Sequence, residues 1–526
     1  MSEPRGGRKM RVSTAEVVDE GNPESKRVAD PAIVEGALAA VGRSTSAIEA
    51  FTQLRWWTCS EETKAAEAYD VEEGIRVGGN EVLRLLLKEN FDARGPGEVG
   101  QTIVLDDGRR LGYRREHTWE YKSQFGPIPV VRLGYGAPGE ASVHPLDESL
   151  NVPERHHSFP LQKRVARLSA RGPFDEVVDE IAATTAVKIH KRQVEEIVED
   201  AAVDFDAFYE EQANNLPPPE ETGPILTTSI DCKGVPRRRT AEEKATPRPK
   251  HLGKGEKRQK KKMATVASVH TTHPHRRTPK QVVAALMDPG ASGAAKERKP
   301  SPEHRRLWAS VKQSKDEVIQ DVAEEMERRD PTQSKLAVCV MDGERALHTR
   351  AVKFLKEKFP RLILVLDIIH VLSYLWKASH VFNEEGSEEA RLWVRERLLA
   401  ILQGRVSQVA AGMRQSATKR GLSDEDREPV DIACNYFLKN KDRMRYDRYL
   451  RWGIPIASGA AEGACGHLVK DRMELTGASW NVEANRTDAV LKLRALDKSG
   501  DLDTYWTFHM KQEKRRRFSR KWMASG

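Results

Sequence analysis

The sequence predicts a mixed α/β protein: a sheet core with a helical insertion, preceded by a mainly helical region that carries one β-hairpin. Two strand-like runs, ILTTSID (225–231) and MATVASVHTT (263–272), follow each other with only a basic segment between them, so they read as an early hairpin. Two more, LAVCVMDG (336–343) and RLILVLDIIH (361–370), alternate with helical patterns at about 302–329 and 344–359. Strands separated by helices pair in parallel through right-handed crossovers. From 371 to 453 the apolar spacing is helical throughout.

Taken in order, residues 1–45 are polar, poor in aromatics and expected as a disordered tail. The region 46–160 combines helical spacing in SAIEAFTQLRWW and NEVLRLLLKENF with a hairpin in HTWEYKSQFGPIPVVRLGYG (117–136), which turns at Phe125-Gly126-Pro127. Residues 161–215 form a helix-turn-helix-like unit whose second helix opens on His190, Lys191, Arg192 and Gln193. Early residues of such a helix are those that meet base edges in a major groove, and an ordinary helical hairpin is the alternative. The stiff segment LPPPEETGP (216–224) marks the clearest boundary. Core segments follow at 225–370 and 454–497 on either side of the insertion, and 498–526 is a basic C-terminal tail.

With 526 residues the chain exceeds the ~250–300 at which a single core stops growing. No apolar run approaches the ~20 residues of a membrane span, and the N-terminus has no apolar secretion signal. Five scattered cysteines show no zinc spacing and suit a reducing cytoplasm. Net charge is +8, yet residues 232–262 alone hold 13 Lys/Arg against 3 Glu. So local an excess, including Arg237, Arg238, Arg239, Lys260, Lys261 and Lys262, is the footprint of a polyanion-binding segment; a basic linker is the alternative.

Three strand ends carry an aspartate: Asp231, Asp342 and Asp367. Strand ends in an α/β sheet gather on one edge, where ligands bind, and a recessed carboxylate there needs a cation. Any one of them alone also reads as a helix cap or turn former. A further carboxylate, Glu462, lies among small residues in PIASGAAEGACGHLVKDRMELTGASW, with Lys470 and Arg472 farther along. Hard oxygen ligands without an imidazole cluster suit two Mg²⁺ or Mn²⁺ ions. Such a pair serves phosphodiester cleavage and transfer, activating the attacking oxygen and stabilising the departing one. Trp480 is a candidate to stack on an exposed base, with a place in the core as the alternative.

These motifs together resemble the DDE transposases of bacterial insertion sequences, specifically the Kra-type group. The matching segments include FGPIPVVRLGYG, HPLDESLNVP, SIDCKGVP, CVMDGERAL, LDIIHVLSYLWKA and PIASGAAEGACGHLVKDRMELTGASW, across roughly 117–497. The resemblance implies an RNase H-like catalytic core holding Mg²⁺ (or Mn²⁺) through Asp231, Asp342 and Glu462, with Asp367 and His370 as an accessory Asp-x-x-His element. It also implies double-stranded DNA partners (terminal inverted repeats and target), at least a homodimer, and a nucleoid-associated place in a bacterial cytoplasm. The competing readings are an RNase H-like nuclease without strand transfer and a transposase-derived DNA-binding protein.

Overall fold

In a computed structural model, residues 29–240, 243–244, 260–288, 300–457, 466–519 and 521–525 are described. The chain divides into two compact units, Met1–Arg94 and Gly95–Gly526. No described helix is long and apolar enough to cross a membrane.

The first unit is helical: Pro31–Val41, Ala47–Trp57, Glu61–Ala65 and Ala68–Asp92. The expected tail therefore ends early, because Asp30 caps the Pro31–Val41 helix through the Ala32 N–H and Ile33, Ala37 and Val41 bury one face. Gly74 and Gly78 let the longest helix close on its neighbour; a Cβ at Gly74 would stand 2.3 Å from the Trp57 ring.

The second unit opens with strands β1 (Thr102–Leu105), β2 (Arg110–Leu111), β3 (Tyr113–Ser123) and β4 (Gly126–Gly136). The hairpin pairs in full register from Tyr113↔Gly136 to Ser123↔Gly126. Helices Phe159–Arg171, Phe174–Thr184, Lys191–Asp200 and Phe205–Ala213 follow. A five-stranded sheet is then built from β5 (Ile225–Pro236), β6 (Lys261–Thr272), β7 (Glu303–Ser310), β8 (Leu336–Met341) and β9 (Ile363–Leu366), in the order β7-β6-β5-β8-β9. β5, β6 and β7 are antiparallel, whereas β5, β8 and β9 run parallel.

Alternation along the strands gives the sheet two apolar faces. Leu226, Ile230, Cys339 and Met341 pack into one core with the helices of 159–209, Lys315–Arg329 and 489–508. Ile225, Val338, Val340 and Val365 pack into the other, beneath the helical segment 368–456.

Five expectations are corrected. The strand expected to end on Asp231 runs on to Pro236, with Asp231 opposite Val266 inside the β5–β6 ladder. The helix expected at 302–329 begins only at Lys315; EHRRLWAS before it is the edge strand β7, whose Leu307–Ser310 end is buried against β6. Ser314 and Glu317 then form a reciprocal capping box that sets the helix start. The Pro-rich 216–224 segment divides nothing, since Phe159, Ile197 and Phe208 share one core with the sheet. Residues 498–526 are no tail. Leu502–Arg517 is a helix burying Tyr505 and Trp506, and β10 (Trp522–Ser525) pairs with β1. The expected strand 361–370 is strand only over Ile363–Leu366, because Asp367 caps the helix Ile368–Ser379.

Candidate active site

Register alone brings the aspartates together. Ile230 pairs with Met341, and Met341 with Leu366, so Asp231, Asp342 and Asp367 each follow a member of one row across three parallel strands. Neighbouring strands stand ~4.8 Å apart, which places Asp231 and Asp342 side by side. Both project to the face covered by the 368–456 helices.

The two carboxylates differ in their hydrogen bonds. Asp231 Oδ1 accepts its neighbour's N–H, from Cys232, at 2.6 Å. Its Oδ2 stands 3.1 Å from Lys233 Nζ, the side chains being 15% and 27% exposed. Asp342 Oδ1 accepts the Glu344 N–H at 2.9 Å, an Asx turn that ends β8. Burial pushes the Asp342 carboxyl above the ordinary range, and the Asp231 charge adds to the push. The His370 ring acts on Asp342 in the opposite sense.

Asp367 has another task. Its side chain is 1% exposed and accepts the Ile369 N–H at 2.8 Å, capping the helix that carries His370. Of the accessory Asp-x-x-His pair, His370 acts on Asp342 through its charge and Asp367 caps the helix that carries it.

The helical insertion closes the site. Tyr436 lies so near the backbone that a Cβ at Gly343 would stand 2.2 Å from its ring. Tyr374 stacks on Tyr436 at 4.0 Å between centroids. Burial raises the Tyr436 phenol, with Asp342 contributing. Arg443 donates to the Asp342 carbonyl at 3.4 Å, and Lys315 pairs with Glu344 at 2.7 Å. None of Lys233, Tyr436, Arg443 or Lys315 was singled out from sequence. Only Lys233 left a signal there, two residues from Asp231 on the same strand face.

Glu462 lies outside the described residues, and no group of three or more metal-competent side chains occurs among the described ones. The described flanks of its segment are both near the sheet: the Ile456 carbonyl accepts the Ile368 N–H at 3.0 Å, and Gly466–Lys470 packs by β5. Lys470 is exposed.

Two candidates are corrected. Arg472 is 3% exposed, donates to the Ser169 carbonyl at 3.1 Å and lies over the Phe174 and Trp480 rings. Burial pulls its guanidinium down to about 10, with Arg494 adding to the fall, so it braces the core rather than serving the acids. Trp480 is 8% exposed and its indole N–H donates to the Met473 carbonyl at 3.0 Å. No ring face is left for a base.

The basic residues sit farther out than the sequence suggested. β5 and β6 continue as a hairpin past the end of β8, with Pro236 opposite Lys261. At ~3.3 Å per residue, Lys262 and Lys261, opposite Val235 and Pro236, are roughly 13–17 Å from Asp231 along the strand, and Arg237–Arg239 follow beyond its end. Arg237 pairs with Glu243, Lys261 with Glu474 and Lys262 with Glu483; Arg238 donates to the Ser479 carbonyl and Arg239 to the Glu243 carbonyl. The Lys261 and Lys262 pairs are exposed or half-buried, and pairs of this kind are worth ~0–1 kcal/mol. In the helical pair, Gln193 accepts the His190 N–H at 3.0 Å, while Lys191 pairs with Asp175 and Arg192 with Glu196.

Fold and site define an α/β protein with a carboxylate pair on one sheet edge and a basic hairpin beyond it. No protein-family model and no curated protein matches the chain. Among solved structures, the Drosophila P element transposase strand transfer complex is similar over 70% of this chain and 82% of that one, with 8% identity and a TM-score of 0.26. A likeness of that size carries no argument, and the geometry stands by itself.

Proposed function

We propose that the chain is a DNA transposase with an RNase H-like core, of the DDE kind that its motifs resemble. The observation that carries the reading is Asp231 beside Asp342 on adjoining parallel strands, on the strand that extends into the basic hairpin.

The donor set fits hard divalent cations. The pair offers carboxylate oxygens and no thiolate cluster, and the Asp342 carboxyl, raised by burial and then by the Asp231 charge, is one that a bound cation would favour in its charged form. When bound, Mg²⁺ or Mn²⁺ supplies charge stabilisation to the attacking and departing oxygens of a phosphodiester. Asp231 and Asp342 would hold the ions, with Glu462 as the third carboxylate on the strength of its sequence context. His370, whose charge acts on Asp342, would orient that carboxylate or a phosphate beside it. The basic hairpin tip would grip backbone about half a duplex turn away, taking ~34–36 Å per turn, and this contact carries no sequence information. Reading of terminal inverted repeats falls to the 95–215 region, and a dimer would hold two ends together.

Asp231→Asn, Asp342→Asn and Glu462→Gln are each expected to lower donor-strand cleavage in Mg²⁺ by about 10³-fold or more, a loss of several kcal/mol, while leaving duplex binding in place. Cleavage at the wild-type rate in all three sinks the proposal. A strand-transfer assay with pre-cleaved ends is expected to give joined product; hydrolysis without joining would make the protein a nuclease instead.

A further inference from the structure

Lys233 stands where a bound cation would compete with it. Alternation along β5 puts Asp231 and Lys233 on one face, the face that also carries Asp342. Asp231 Oδ1 is engaged by the Cys232 N–H, and the Lys233 ammonium is 3.1 Å from the other oxygen, Oδ2. A divalent ion coordinated by that oxygen would meet a like charge at hydrogen-bond range, and the repulsion drives the ammonium off. The four-carbon stem is flexible, and a lysine released beside a phosphodiester site binds phosphate as a point charge.

We infer that Lys233 is a displaceable counter-ion: it neutralises Asp231 while no divalent ion is bound, and moves to a DNA phosphate when one is. The inference rests on the metal-dependent reading above. It makes cation loading and DNA grip interdependent through one side chain, and it assigns opposite signs to the two effects of removing the charge.

The test is calorimetric titration of the DNA-free full chain with Mn²⁺, comparing wild type, Lys233→Met, Lys233→Gln and Asp231→Asn. The two neutral variants are expected to bind Mn²⁺ about 5-fold more tightly, the size of one modest ion pair, and Asp231→Asn to lose binding. Duplex binding measured across salt concentrations in Ca²⁺ is expected to be weaker for the neutral variants, with a log–log slope shallower by about one phosphate contact. Without divalent ions wild type and variants should bind duplex alike. A lysine with a merely structural role would not strengthen Mn²⁺ binding while weakening DNA binding. Unchanged or weaker Mn²⁺ affinity in both neutral variants, with Asp231→Asn still losing it, overturns the inference. Wild-type Mn²⁺ affinity in Asp231→Asn overturns the metal reading itself.

Discussion

Asp231, Asp342 and Asp367 are the same chemical group just past one row of the parallel ladder, Asp231 inside the longer β5 and the other two after their strands end, and their neighbours decide what each does. Asp367 spends its carboxylate on the Ile369 N–H, since the helix begins immediately after a four-residue strand. Asp342 spends one oxygen on the Glu344 N–H and is pushed upward by burial and Asp231. Gly343 is required at the next position because the Tyr436 ring occupies the space a Cβ would take, at 2.2 Å. Gly343→Ala is accordingly expected to cost about 1–3 kcal/mol, the range of overpacking in a rigid core. Denaturant melts of Gly343→Ala, Tyr436→Ala and the double variant check this: the second substitution should recover much of the loss, and additive effects would show that the contact is not the cause. The sequence signals Asp342-Gly343 as a turn, but nothing in it points to a tyrosine more than ninety residues later.

At the scale of elements, two kinds of segment hide from periodicity. β7 is an edge strand with only half its length buried, and its charged EHRR start merges with the charged helix after it. The C-terminal helix Leu502–Arg517 hides behind its last turn, Lys514 to Arg517, which reads as a tail. Yet Leu502, Tyr505, Trp506 and Phe508 are all at most 7% exposed. Burying each is worth ~1.5–3 kcal/mol, together comparable with the ~5–15 kcal/mol net stability of a folded protein. A chain ending at residue 500 is therefore expected to lose cooperative unfolding, whereas one ending at 518 should lose only β10. Circular dichroism melts of the two truncations distinguish a built-in helix from a dispensable tail.

For the whole molecule, the boundary lies at Arg94/Gly95, where the glycine- and proline-containing stretch RGPGEVG begins, and not at the proline-rich 216–224 segment. Residues 95–526 expressed alone are expected to melt as cooperatively as the full chain does for that unit. A fragment starting at 224 should not fold, because it lacks Phe159, Val165, Ile197 and Phe208 from the core on one sheet face. A stable, cooperative 224–526 fragment would show that the two regions are separable after all.

What the sequence by itself determined are local facts: the existence of most strands and helices, a hairpin within 117–136, and carboxylates where the parallel pairing of β5, β8 and β9 stops. Each of these depends on residues close together in the chain, through side-chain alternation, capping and turn chemistry. Only the tertiary structure decided which carboxylates meet, that Trp480 and Arg472 belong to the core, and that Lys233, Tyr436 and Arg443 surround the acids. Those outcomes depend on strand register and on packing between distant segments, and no single stretch of chain encodes either.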